Sequence, residues 1–147
     1  MAFLKINMTS LNSRTLAQFL SEIDSDFEPA LSTRVCLDNY ADKLINNAII
    51  TVESDSVGVQ GVCAVYATDK INYQAYMSML AVHPNSRGKK IATKLVQATE
   101  ANLKDLGFKS LRLETYKNNI NAISFYKHNG FNIIESNDNS FFFMKTL

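Results

Sequence analysis

The sequence predicts a mixed α/β domain, a sheet with helices packed on it, and three observations predict it. Apolar residues recur at helical spacing in the first third of the chain and again after Pro84, while the stretch between is rich in Val, Ile and Tyr. Two prolines and five glycines punctuate 147 residues, with no Ser-, Gly- or Pro-rich linker. A single domain over residues 1–147 is expected, since domains commonly take about 150 residues.

Ala2 to Met8 alternate weakly and read as an edge strand. Leu16, Phe19, Leu20 and Ile23 keep helical spacing, as do Leu37, Tyr40, Ala41, Leu44 and Ile45. Asp26, Glu28 and Pro29 mark an acidic connection between these two helices. Ile49–Glu53, Val57–Tyr66 and Tyr73–Val82 read as a meander of three strands. Ile91, Leu95, Ala98, Thr99, Leu103 and Leu106 then fall on one helical face, with Lys90, Lys94, Gln97 and Lys104 opposite and Gly107 as the C-terminal cap. Leu111 and Leu113 alternate with Arg112 and Glu114 as a strand. A short helix from Asn119 to Asn129 stops at Gly130, and Phe131–Ile134 with Phe141–Met144 close the chain as a hairpin.

A hydrophobic share of 46% with 20% charged residues builds a core and excludes a disordered chain. Fifteen basic against fourteen acidic side chains leave a net charge of +1, so no global field holds a polyanion and nucleic acid is not an expected partner. Cys36 and Cys63 lie far apart with no histidine cluster, which indicates neither a disulfide framework nor a metal site; both read as buried small apolar groups. The N-terminus has no apolar run or small-residue cleavage site, and no run of about 18 apolar residues occurs, so a reducing, cytoplasmic compartment and no membrane are expected.

Two segments carry chemistry. The first, Met79 to Thr93, is a strand, a loop with Pro84, then Arg87, Gly88, Lys89 and Lys90 at a helix start. Unpaired N–H groups at a helix N-terminus point outward with the positive end of the dipole and cradle anions. Three cations on a surface loop are equally read as solvated. A nucleoside triphosphate loop fails, because one glycine precedes Lys89 and no Ser or Thr follows the lysines directly; a G-x-G-x-x-G dinucleotide turn fails likewise. The second segment, Asn118 to Phe131, follows a strand that ends L-R-L-E-T-Y.

Together the two segments resemble the GNAT acetyltransferase superfamily. Its phosphate turn reads R-G-x-G-x-[GA], here Arg87-Gly88-Lys89-Lys90-Ile91-Ala92, and its later segment is carried here by Leu113, Glu114, Asn119, Ala122, Tyr126, Gly130 and Phe131. Lys90 stands where the family usually has its second glycine. The resemblance implies a mostly antiparallel central sheet of about seven strands flanked by about four helices, and acetyl-CoA as co-substrate without a metal. It implies direct transfer of the acetyl group to a primary amine of a small molecule or peptide, by a monomer or homodimer. A module that binds acyl-CoA without catalysis is the alternative.

By the same resemblance, Leu80, Ala81 and Val82 pair with the pantetheine arm, and residues Arg87, Gly88, Lys89, Lys90, Ile91, Ala92 and Thr93 hold the pyrophosphate. Asn119 holds the cofactor near the short helix and the Tyr126 phenol points at the sulfur. A phenol with an ordinary pKa of about 10 is protonated at neutral pH and can donate. Without the resemblance, Tyr126 reads as a core aromatic and Asn119 as a helix cap. Glu114 is the first candidate for the base, with a salt bridge to Arg112 as its other reading; Tyr76 and Ser78 are candidates to place water. His83 and His128 have no sequence partner at catalytic spacing. Asp24, Asp26, Glu28, Arg34 and Asp38 are candidates to wall an acceptor site, their carboxylates attracting a cationic amine, or to form an ordinary solvated loop.

Overall fold

The computed structural model describes residues 11–27 and 29–147. The strand expected at Ala2–Met8 and the side chain of Glu28 lie outside the described residues. Helix α1 (Ser13–Ile23) begins at a reciprocal cap: the Asn12 side chain accepts from the Thr15 N–H at 2.9 Å, and the Thr15 hydroxyl accepts from the Asn12 N–H at 3.0 Å. Helix α2 (Leu37–Asn47) follows two short 3₁₀ turns, Asp24–Asp26 and Leu31–Thr33. Helical periodicity does not reveal those turns. They are tied together by Asp24, whose carboxylate accepts from the Ser32 N–H at 2.7 Å and the Ser32 hydroxyl at 2.6 Å.

Strands β1 (Ile49–Ser54), β2 (Val59–Tyr66), β3 (Gln74–Val82), β4 (Ser110–Tyr116), β5 (Asn132–Ser136) and β6 (Ser140–Thr146) form a sheet of order β1-β2-β3-β4-β6-β5. Every neighbouring pair is antiparallel except β3 and β4, which run parallel because helix α3 (Ile91–Asp105) carries the chain back across the sheet. Helix α4 (Ile120–His128) connects β4 to β5. Six strands are thus present among the described residues, against the expected number of about seven. Val57 is not in β2 as expected: the Asp55 carboxylate accepts from the N–H groups of Val57 and Gly58 at 2.8 and 3.1 Å, which holds the chain in a turn until Val59.

The sheet separates two cores. Val62 and Ala64 pack against α1 and α2 with Leu16, Leu20 and Leu44; Cys63 and Val65 pack on the other side with Leu95, Leu103, Leu111 and Phe143. Helix α3 is buried more widely than its apolar stripe predicts. Val96 is enclosed, and Glu100 is buried where Lys145 donates to its carboxylate at 2.6 Å. Leu106 is exposed rather than packed, because it is the C-cap at which the helix leaves the sheet. Cys36 also departs from expectation: it sits exposed just before α2, while Cys63 is buried.

Strand β3 contains the feature that shapes everything nearby. It pairs with β4 only through Gln74, Ala75 and Tyr76. In the ladder with β2, Ala64 opposes Met79 and Val65 opposes Met77, so Ser78 is an extra residue, a β-bulge. The alternation of faces reverses there: Ala75 and Met77 join the α3 side, whereas Met79 and Ala81 join the α1–α2 side. A bulge bends its strand and increases the local twist, and here β3 parts from β4 where the bulge begins. Tyr40 on α2 holds it, with its hydroxyl 2.7 Å from the Ser78 hydroxyl and 3.3 Å from the Ser78 carbonyl oxygen. Tyr40→Phe removes those hydrogen bonds and should lower unfolding free energy by about 1 kcal/mol in urea denaturation.

Candidate active site

A cavity of about 240 Å³ occupies the gap between β3 and β4 and opens to both faces of the sheet. Met77, Leu113 and Tyr126 line it from the α3–α4 side, with Asn119 at the start of α4. By strand alternation Tyr76, Glu114 and Tyr116 line it from the opposite side, where Arg34, Phe27 and Pro29 of the α1–α2 connection also reach it.

Tyr126 is fixed by its surroundings. Its ring packs edge-on against Phe125 and Phe131, with centroids 5.4 and 5.6 Å away, and tilted on Phe143 at 5.7 Å. Gly130, at φ +90°, closes α4 with the Phe131 N–H donating to the Tyr126 carbonyl at 3.0 Å, a Schellman cap that ties this residue to the helix end. Among the described residues, the buried Tyr126 hydroxyl has the Met77 sulfur, 3.9 Å away, as its one partner. Burial first, then the nearby Cys63, pushes its pKa well above the ordinary value of 10.0, so the phenol keeps its proton throughout the neutral range. Burial likewise pushes the Cys63 thiol up to about 12, which removes it as a nucleophile.

The side-chain oxygen of Asn119 accepts from the Ala122 N–H at 3.2 Å, the cap expected of it, and its residue lines the cavity. Glu114 is exposed on β4 and does not pair with Arg112; that arginine bonds Glu135 at 2.9 Å instead, across the strands that β6 brings together. Burial raises the pKa of Tyr76, and the charge of Glu114 raises it further; both side chains line the cavity. His83 accepts from the Asn85 N–H through Nδ1 at 3.2 Å and turns Nε2 to Glu22 at 3.3 Å, so it braces α1 against the loop and takes no place in the cavity.

Beyond Tyr76 the β4-facing edge of β3, including Leu80, Ala81 and Val82, has no strand partner among the described residues. A 3₁₀ turn (Pro84–Ser86) then leads to Arg87, Gly88 at φ +80°, Lys89, Lys90 and α3. No side chain caps α3, so the N–H groups around Ile91, Ala92 and Thr93 face outward without a side-chain acceptor. Lys90 takes φ +60°, ψ 25°, a left-handed conformation that a glycine adopts at no cost. The turn therefore keeps the backbone shape of a glycine while carrying a cation. Gly61 on β2 seats the helix: a Cβ there would lie 2.9 Å from side-chain atoms of Ile91 and Leu95.

Several acidic residues of the α1–α2 connection and its neighbours have partners of their own. Asp24 is engaged by Ser32, which holds its carboxyl below the usual range, chiefly through the Ser32 hydroxyl. Asp26 pairs with Arg87 at 3.0 Å and so reaches the phosphate turn. The Asp55 carboxyl is lowered first by the Val57 N–H and also by the charge of Lys89 nearby. Asp38 lies with Cys36 and Asp42 in a separate depression between α1 and α2. Sequence reasoning missed Tyr40, Tyr116 and the Asp26–Arg87 pair, because each acts through contacts between distant segments that no local pattern signals.

The model of the Acetyltransferase (GNAT) family matches residues 16–131. The chain belongs to that family. It is similar to N-alpha-acetyltransferase 30 of Schizosaccharomyces pombe, 43% identical over 58 residues that cover 40% of this chain and 39% of that protein. The aligned part is thus about two fifths of the length of that curated relative. An acetyltransferase of the GNAT family from Staphylococcus aureus has the same fold, with a TM-score of 0.78 and 18% identity over 99% of this chain and 98% of that one. The PaiA N-acetyltransferase of Thermoplasma acidophilum, solved in complex with coenzyme A, has a TM-score of 0.74 and 18% identity over 93% and 96% of the two chains. Among the described residues, no helix of this GNAT chain is long and apolar enough to cross a membrane.

Two outcomes are expected from the turn before α3 in this GNAT-family chain. Lys90→Gly should raise unfolding free energy by about 1 kcal/mol by relieving the left-handed lysine, while weakening coenzyme A binding severalfold in low salt and less in high salt. Asp26→Asn frees Arg87 from an exposed ion pair worth about 0.2 to 1 kcal/mol, so calorimetry should show up to about fivefold tighter coenzyme A binding in low salt and little change in high salt.

Proposed function

We propose that this chain passes the acetyl group of acetyl-CoA directly to a primary amine, without an acyl-enzyme. The observation that carries the reading is the buried Tyr126 hydroxyl, which among the described residues has a thioether as its one partner and lines the gap beside the turn that precedes α3. Acetyl-CoA, when bound, supplies an acetyl group activated on sulfur and a thiol as leaving group.

The residues present fit that co-substrate. Outward N–H groups from Gly88 to Thr93 take the pyrophosphate, with the side chains of Arg87, Lys89 and Lys90 adding positive charge. The unpaired edge at Leu80, Ala81 and Val82 receives an amide-bearing arm as an added strand. Asn119, its oxygen committed to the helix cap, offers its amide N–H groups. Tyr126 holds its proton at the hydroxyl and gives it to the departing sulfur.

An alkyl ammonium has a pKa near about 10.4 and must lose a proton before it attacks. Glu114 is the base in this reading, with Tyr76 and Ser78 placing the water through which the proton travels. Of the two protons the ammonium gives up on becoming an amide, one balances the proton Tyr126 hands to sulfur and the other leaves to solvent through Glu114.

Incubation with acetyl-CoA and a panel of amines, followed by thiol release, tests the reading. Turnover is expected; coenzyme A binding without turnover on any amine would leave a binding module, and neither would overturn both. Tyr126→Phe should keep coenzyme A affinity and lower kcat by about a hundredfold. Because burial raises the phenol pKa, ionisation that would remove the donor is postponed, and kcat should stay level up to about pH 10 instead of falling through the ordinary tyrosine range.

A further inference from the structure

Among the described residues, two charged side chains line the cavity between β3 and β4, Glu114 and Arg34. Arg34 ends the 3₁₀ turn Leu31–Thr33, where the Asp24–Ser32 hydrogen bonds fold the α1–α2 connection back on itself. Its Nη1 donates to the Tyr116 hydroxyl at 3.3 Å, and its guanidinium carbon lies 5.5 Å from the centre of the Tyr116 ring. These contacts restrict the side chain yet use one of five N–H donors, leaving a planar fork for an anion. Arg87 and Arg112 each bond a carboxylate, at 3.0 and 2.9 Å, whereas Arg34 forms no ion pair among the described residues.

Tyr116 follows Glu114 by two residues on the same face of β4, so strand geometry sets the two positions about 7 Å apart. The cavity therefore presents a carboxylate on β4 and a guanidinium held against Tyr116, the next residue on that face of the strand. We infer that the acceptor is a primary amine carrying a carboxylate a few bonds from the nitrogen, with the amine at Glu114 and the carboxylate at Arg34. This rests on the transferase reading above. The order of charges along the strand fixes the acceptor's direction, since the reverse orientation brings like charges together at both ends. It also disfavours polyamines, whose second cation meets Arg34, while the carboxylates of Asp24 and Asp26 are already engaged. A free ω-amino acid and a peptide N-terminus followed by an acidic side chain share this chemistry.

Matched acceptors separate the possibilities: δ-aminovalerate, pentylamine and cadaverine for the free compounds, and alanyl-glutamyl amide against alanyl-glutaminyl amide for peptides. In at least one series kcat/KM for the carboxylated member should exceed that of its neutral counterpart by about tenfold or more, the size expected of a charge-assisted hydrogen bond, and the series showing it identifies the source. Arg34→Met should bring that ratio towards one and Arg34→Lys should keep part of it. Coenzyme A calorimetry on both variants shows that they are folded. Without acetyl-CoA, ligand-observed NMR should detect the preferred acceptor on the parent protein and not on Arg34→Met. Equal kcat/KM within both series, or a preference that survives Arg34→Met, overturns the inference and leaves the transferase reading standing. Absence of thiol release with every amine, pentylamine included, overturns that reading and the inference with it.

Discussion

A strand inside a sheet satisfies both of its backbone edges, and β3 gives up half of that satisfaction beyond Tyr76. The extra residue at Ser78 is what allows it: the strand bends, its faces exchange, and its far half follows β2 away from β4. Bonds from Tyr40 on α2 hold the bulge, while β3 and β4 pair in parallel only up to Tyr76. The cavity, the free edge and the position of the phosphate turn all descend from that divergence.

Around the gap, burial and charge divide the work. The α3–α4 side is apolar and encloses Tyr126, which keeps a proton donor neutral where a hydroxyl in water would be solvated. The opposite side carries Glu114, Tyr76 and Arg34 at the protein surface, so its charged groups stay in contact with solvent. An apolar wall and a charged, solvent-facing wall thus meet across the gap in the sheet.

The phosphate turn shows how a departure from a motif is absorbed. Lys90 replaces a glycine yet keeps the left-handed backbone, so the outward N–H groups of α3 remain where the turn needs them and the strain is borne locally. Arg87 is tied to Asp26 of the α1–α2 connection, which makes that connection a neighbour of the turn as well as a wall of the cavity. One short segment therefore touches both ends of the site, through Asp26 at the turn and Arg34 at the cavity.

The sequence by itself determined the helices, the strands from Ile49 onward, the closing hairpin and the two motifs, because periodicity, turn residues and cap residues act over a few positions and leave a local trace. Asn119 and Gly130 were legible for the same reason, as was the family resemblance that singles out Tyr126. Tertiary structure alone decided the bulge at Ser78, since alternation across Tyr73–Val82 reads as one unbroken strand until β2 supplies its register. It also decided the partners: Arg112 with Glu135 rather than Glu114, Asp26 with Arg87, Asp24 with Ser32, and Arg34 with Tyr116. A charged side chain satisfies its field with whatever the folded chain brings within a few ångströms, and for residues separated by tens of positions that distance is set by packing of the sheet and not by spacing in the sequence.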